Sequence, residues 1–221
     1  MSTAATKKQA LYGKPGQLTN IITHALGAAL SFVGLVFLML KCAANGLSAF
    51  SVTAVFAYGF LTTAVFGASA VYHVISPTRE HNVLKKIDSI AIPVLILAVY
   101  APITLIGLSR GDAADRAWGI AVLSIIAVMT VLSAVFSDKF EYKVVSLVIY
   151  VIIGWACLIR IDRVAALIGS CFWFLVGGLI MYAGGIVFNA VKKIPFGHTV
   201  FHILTAVGAA LHFVCVYIYL L

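Results

Sequence analysis

Two histidines four residues apart, His198 and His202, stand near the start of the last apolar stretch of this sequence. On a helix that spacing puts both imidazoles on one face, one turn apart, as when two histidines chelate a single metal. Ser69 and His73 have the same separation in an earlier apolar stretch, so a hydroxyl stands one turn from an imidazole there. Asp88 opens the next stretch. Three histidines and a water make a four-coordinate site of the catalytic type, in which zinc lowers the pKa of its water to roughly 7. His73, His198 and His202 are the candidate ligands, and Asp88 is the group to orient that water or act as base. The positive end of its own helix would keep the carboxylate ionised.

Each residue also has a plainer reading. His-x3-His fits two interfacial histidines that meet headgroups or water. Asp88 fits an N-cap, or an ion pair with Lys85 or Lys86. A serine in a membrane helix commonly bonds the carbonyl one turn back, so the inclusion of Ser69 depends on His73. What favours the joint reading is cost, because ionisable side chains within a membrane need a partner or a purpose. Two other histidines are left outside the ligand set. His24 lies at a suitable depth for a supporting role, and His212 lies about 15 Å beyond His202 at 1.5 Å per residue, which suits a packed core histidine.

The elements that must gather these residues are read from the apolar runs. With 63% hydrophobic and 10% charged residues, the 221-residue chain cannot hide its apolar surface from water, and its charges fall in short clusters between uncharged stretches. The runs predict helices at Leu18–Leu40, Leu47–Ser76, Ile87–Leu108, Ala117–Phe136, Lys143–Ile159, Val164–Val191 and Phe196–Leu221. The expected fold is therefore an all-α membrane protein, a seven-transmembrane helix bundle over 18–221 preceded by a tail, 1–17. Lys and Arg divide ten against five between alternate loops, with Lys7, Lys8, Lys14, Arg79, Lys85 and Lys86 among the ten, which places the N-terminus in the cytoplasm and the C-terminus outside. In that arrangement the end of the second helix and the starts of the third and seventh share the cytoplasmic leaflet. Pro93 and Pro102 fall inside the third helix and should bend it.

Several function classes drop out. The net charge of +8 flanks apolar runs and forms no basic stripe with interleaved aromatics, so no nucleic acid is expected as partner. No apolar core followed by a cleavage site precedes the first run, so no cleaved signal peptide is expected. Cys42, Cys157, Cys171 and Cys215 contain no CxxC pair and read as small apolar filler. A retinal protein needs a lysine in a late helix, and none lies between Phe196 and Leu221. A haem bundle needs axial histidines at matched depth, and the seventh-helix pair is better explained by one metal.

The chain resembles the hemolysin III family of bacterial membrane proteins, relatives of the progestin and adipoQ receptors within a wider group that includes alkaline ceramidases. The resemblance spans nearly the whole chain. It rests on Asn20-x2-Thr23-His24-x2-Gly27, on Ser69-x3-His73, on Lys85-Lys86-x-Asp88 with Tyr100-x-Pro102, and on Gly177-Gly178 through Pro195-x2-His198-x3-His202. It implies zinc bound by His73, His198 and His202, Asp88 on the metal's water, and Ser69 behind the ligands. Gln17, Ser89 and Phe201 depart from residues frequent in that family, and none of the departures removes a ligand.

Two functions follow as expectations. In the first, a zinc-dependent hydrolase in the cell membrane cleaves a lipid amide or ester, with the bilayer delivering the lipid substrate. In the second, zinc ties helices together in a non-enzymatic membrane sensor or homeostasis factor or, in an oligomer, a cytolytic pore. A pore should show a polar helix face, and the sequence offers little of one.

Overall fold

In lipid a backbone N–H or C=O has no water to turn to, so a chain this apolar must satisfy its backbone inside helices. The computed structural model describes residues 15–75, 82–136, 143–191, 193 and 195–221, and every regular element among them is helical. Lys7, Lys8, Lys14, Ser76, Pro77, Arg79, His81, Lys139 and Lys192 lie outside the described residues.

The first helix, α1 (Pro15–Ala44), begins with proline where a missing N–H costs nothing. It ends before Gly46, whose φ of 59° allows the turn into α2 (Ala49–Ile75), and the Ser51 N–H donates to Ser48 Oγ at the start of that helix. After α3 (Asn82–Ser89) come α4 (Ala91–Pro102), α5 (Ala113–Phe136), α6 (Lys143–Trp155), α7 (Ile161–Ile168), α8 (Cys171–Ala190) and α9 (Gly197–Val214). π turns extend α4 over Ile103–Gly107 and α9 over Cys215–Leu220. Among the described residues, six stretches are long and apolar enough to cross a membrane: Gln17–Ala44, Ala49–Ile75, Ala91–Arg110, Ala113–Phe136, Cys171–Ala190 and Gly197–Leu220. The protein is thus a multi-pass membrane protein. The expected fifth span is α6, whose 13 residues rise only about 20 Å, followed by a 3-10 segment at Ala156–Arg160.

Three expectations change. The third stretch does not run unbroken from Ile87, because Pro93 has no N–H for the Ser89 carbonyl and its ring crowds that turn. The chain breaks at Ile90, so Asp88 falls in the last turn of the short α3. Asp88 is therefore not at the start of the span: the residue before α4 is Ile90, which makes no side-chain cap. The sixth stretch is likewise two helices, divided at Gly169, whose φ of 55° stops α7. Cys171 and Cys215 are not filler, for they form a disulfide between the start of α8 and the end of α9. Cys42 and Cys157 are free and buried, as filler should be.

Without a hydrophobic force between helices in lipid, close packing must hold the bundle. α1 lies along α2 and α8 along α9, while α2 packs on α4 and α9 returns to α1. Gly27 lets the first pair close: a Cβ there would stand 2.6 Å from the Phe66 ring. Gly208 does the same for α8 and α9, where a Cβ would meet the Gly178 carbonyl oxygen at 3.0 Å. The third span is the centre of the bundle, and its Tyr100 hydroxyl donates to the Gly154 carbonyl of α6. At one end Asp115, at the start of α5, accepts from Arg163 and pairs with Arg160 at 3.2 Å, which joins the ends of α5 and α7.

Candidate metal centre

Helix pairing brings four imidazoles from three helices to one end of the bundle. His24 comes from α1, His73 from the last turn of α2, and His198 and His202 from the start of α9. Ring centroids of His73 lie 5.7 Å from His198 and 5.0 Å from His202, and those of His198 and His202 are 4.3 Å apart. The sequence-predicted histidines therefore cluster, with His198 at the exposed edge, and His24, left out of the ligand set, joins them. One ring nitrogen each from His24, His73 and His202 lies within 4.8 Å of the others, so those three are within reach of a single metal ion.

The nitrogens are engaged in order along a chain. His198 Nδ1 is 3.0 Å from Asn189 Oδ1, His198 Nε2 is 2.9 Å from His202 Nε2, and His202 Nδ1 is 2.8 Å from His24 Nε2. Two buried ring nitrogens, His24 Nδ1 and His73 Nε2, have no hydrogen-bond partner. A buried polar atom left in that state is costly, and a metal ion is the group that neutral imidazole lone pairs satisfy best. The donors thus fit a divalent metal. Their surroundings differ: His24, His73 and His202 are 3%, 4% and 2% exposed, whereas His198 faces outward.

Residues of the sequence motifs brace this end. Gln17 Nε2 donates to the His73 carbonyl at 2.6 Å, tying the start of α1 to the end of α2. The Thr199 hydroxyl donates to Asn20 Oδ1 at 3.0 Å, tying α9 to α1 one residue from His198.

Ser69 lies one turn from His73 and is wholly buried, its hydroxyl without a hydrogen-bond partner. Asp88 is half-buried on α3, ahead of the third span. Burial pushes its carboxyl above the ordinary carboxylate range, while nearby Ser69 and His198 favour the ionised form. Ser69 stands near enough to Asp88 to act on its charge but outside hydrogen-bond geometry. The supporting place expected for His24 takes the form of its contact with His202, whereas Asn189 was missed by sequence reasoning, because a lone asparagine at the end of a helix gives no signal.

Beside the histidines lies an apolar cavity of about 420 Å³ between α1, α2 and α9. Thr23, next to His24, and Phe66, whose ring centroid is 5.8 Å from that of His24, line its near end. Leu26 and Leu30 of α1 and Ile203 and Val207 of α9 line it and are also exposed, so the mouth faces outward between these helices. The size is that of a small-molecule site. His212 sits elsewhere, buried, with Nε2 3.2 Å from the Leu175 carbonyl oxygen, as a packed core histidine.

Comparison with known proteins points in one direction. A family model described as haemolysin-III related matches residues 14–213. Hemolysin-3 homolog of Bacillus subtilis strain 168 is 32% identical over 206 residues, covering 92% of this chain and 93% of the relative. Hemolysin-3 of Bacillus cereus is 31% identical over 208 residues, covering 93% and 92%. The human monocyte to macrophage differentiation factor is 28% identical over 172 residues, covering 74% and 68%. No solved structure matches the chain.

Proposed function

Because the chain belongs to the haemolysin III-related family, and its histidines gather beside an apolar cavity, we propose that it is a zinc-dependent hydrolase of a lipid amide or ester, working within the cell membrane. The carrying observation is that adjacency: a metal-binding donor set and a space for an apolar chain meet at His24 and Phe66. A lipid can enter sideways between α1 and α9, its polar group reaching the histidines near the headgroups.

In this reading the chain crosses the membrane seven times, N-terminus in the cytoplasm and C-terminus outside. Supporting the seventh crossing, Arg160 and Arg163 pair with Asp115 at the start of α5, so the segment after α5 returns to the same end of the bundle. α6 and the 3-10 residues together rise about 30 Å, the thickness of the hydrocarbon core. The disulfide supports the orientation. It lies at the end away from the histidines, which this orientation places outside, where disulfides persist.

Zinc supplies a Lewis acid for the carbonyl and a nucleophile at neutral pH. The chain's own residues do the rest. His73, His198 and His202 would hold the ion through neutral imidazole nitrogens. The Asp88 carboxylate takes a proton from the attacking water and returns it to the departing amine or alkoxide. The Ser69 hydroxyl, buried one turn from His73, would turn to donate to the Asp88 carboxylate and so favour its charged form at the start of that cycle. The test is fatty-acid release from ceramide-like lipids by purified protein, with and without chelator. Absence of any metal-dependent release would sink the hydrolase.

A further inference from the structure

We propose that Asn189 is a positioning residue of the metal centre, holding the Nδ1–H of His198 so that its Nε2 lone pair turns toward His73 and His202. This rests on the ligand set proposed above. A histidine bound to a metal through one nitrogen needs the proton on the other, and an oxygen acceptor there fixes both tautomer and ring orientation. Asn189 Oδ1, 3.0 Å from His198 Nδ1, is such an acceptor.

Three observations give this contact its meaning. An asparagine in the last turn of a helix commonly serves its own backbone, yet Asn189, one residue from the end of α8, reaches across the turn at Phe196 to α9. The second helix-nine histidine is engaged in the same way, its Nδ1 2.8 Å from His24 Nε2. Both imidazoles are therefore held through Nδ1, and their Nε2 atoms, 2.9 Å apart, face one another, with the ring of His73, whose Nε2 is unpartnered, 5.7 Å from His198 and 5.0 Å from His202 between centroids. His202 is in addition locked by burial, being 2% exposed, whereas His198 is exposed, with its ring stacked on that of Phe201 at 6.0 Å between centroids. The more exposed of the two is the one given an amide oxygen.

The test uses the full chain in detergent, loaded with zinc or cobalt, and reads metal affinity by competition with a chromophoric chelator. Asn189→Ala should bind metal 10–100-fold more weakly. Asn189→Asp, which keeps an oxygen in the same place, should restore the affinity. In the cobalt form the visible ligand-field bands should shift in the alanine variant and return in the aspartate variant. His198→Ala, run alongside, should lose the metal. Unchanged affinity in Asn189→Ala, or no recovery in Asn189→Asp, with His198→Ala metal-free, overturns the role of Asn189 and leaves the ligand set standing. Full metal binding by His198→Ala overturns the ligand set itself.

Discussion

Gly178 leaves His212 no room to spare: a Cβ at position 178 would stand 2.1 Å from His212 Nε2. The imidazole cannot swing aside, because it is 1% exposed and its Nε2 lies 3.2 Å from the Leu175 carbonyl oxygen. Gly178→Ala is expected to cost about 1–3 kcal/mol, as overpacking does, and to lower the melting temperature in detergent. His212→Ala in the same chain should recover most of that loss. A double-mutant cycle measures the coupling, and strictly additive effects would refute the contact.

The histidines make a graded prediction for metal content. Elemental analysis of detergent-purified protein should find the metal lost in His73→Ala and His202→Ala. His24→Ala, which removes the partner of His202 Nδ1, should retain the site at an affinity lower by about 10–100-fold. If His24→Ala strips the metal as completely as His202→Ala does, His24 is itself a ligand.

Filling the cavity should separate lipid binding from metal binding. Ala206 lines the cavity one turn beyond His202, so Ala206→Phe puts a ring where an acyl chain would lie. Binding of a fluorescent long-chain lipid should fall at least tenfold while metal content stays at the wild-type level. Wild-type lipid binding in this variant would show that the chain lies elsewhere.

The disulfide predicts a distinct thiol count. Denatured, non-reduced protein should present Cys42 and Cys157 to a maleimide, and reduction should add Cys171 and Cys215. The link closes a loop of 44 residues, so replacing both cysteines with serine is expected to cost about 2–4 kcal/mol of stability. Four reactive thiols before reduction would contradict the pairing.

What the sequence made legible was what lipid demands at every position. Apolar runs fix where helices must lie, and their alternation fixes which residues share a depth; that sufficed to bring His73 to His198 and His202 across more than a hundred residues. Local breaks were harder. Pro93 signalled a disturbance, but hydropathy does not change at Ile90, so Asp88 was assigned to the wrong helix end. Pairwise side-chain contacts were hidden altogether. Cys171 and Cys215 meet only because α8 and α9 run antiparallel, and nothing in their 44-residue separation marks them. Asn189 meets His198 because the intervening turn closes through Phe196 in a left-handed conformation, which an aromatic residue does not advertise.

The uneven burial of the four imidazoles sets the order in which the proposed metal site would be filled. Of the four, His198 is the exposed one, so an ion entering the proposed site would meet it before the buried His24, His73 and His202. In the orientation proposed above, which puts the histidines at the cytoplasmic end, occupancy of that site would follow the free metal level of the cell interior rather than the level outside.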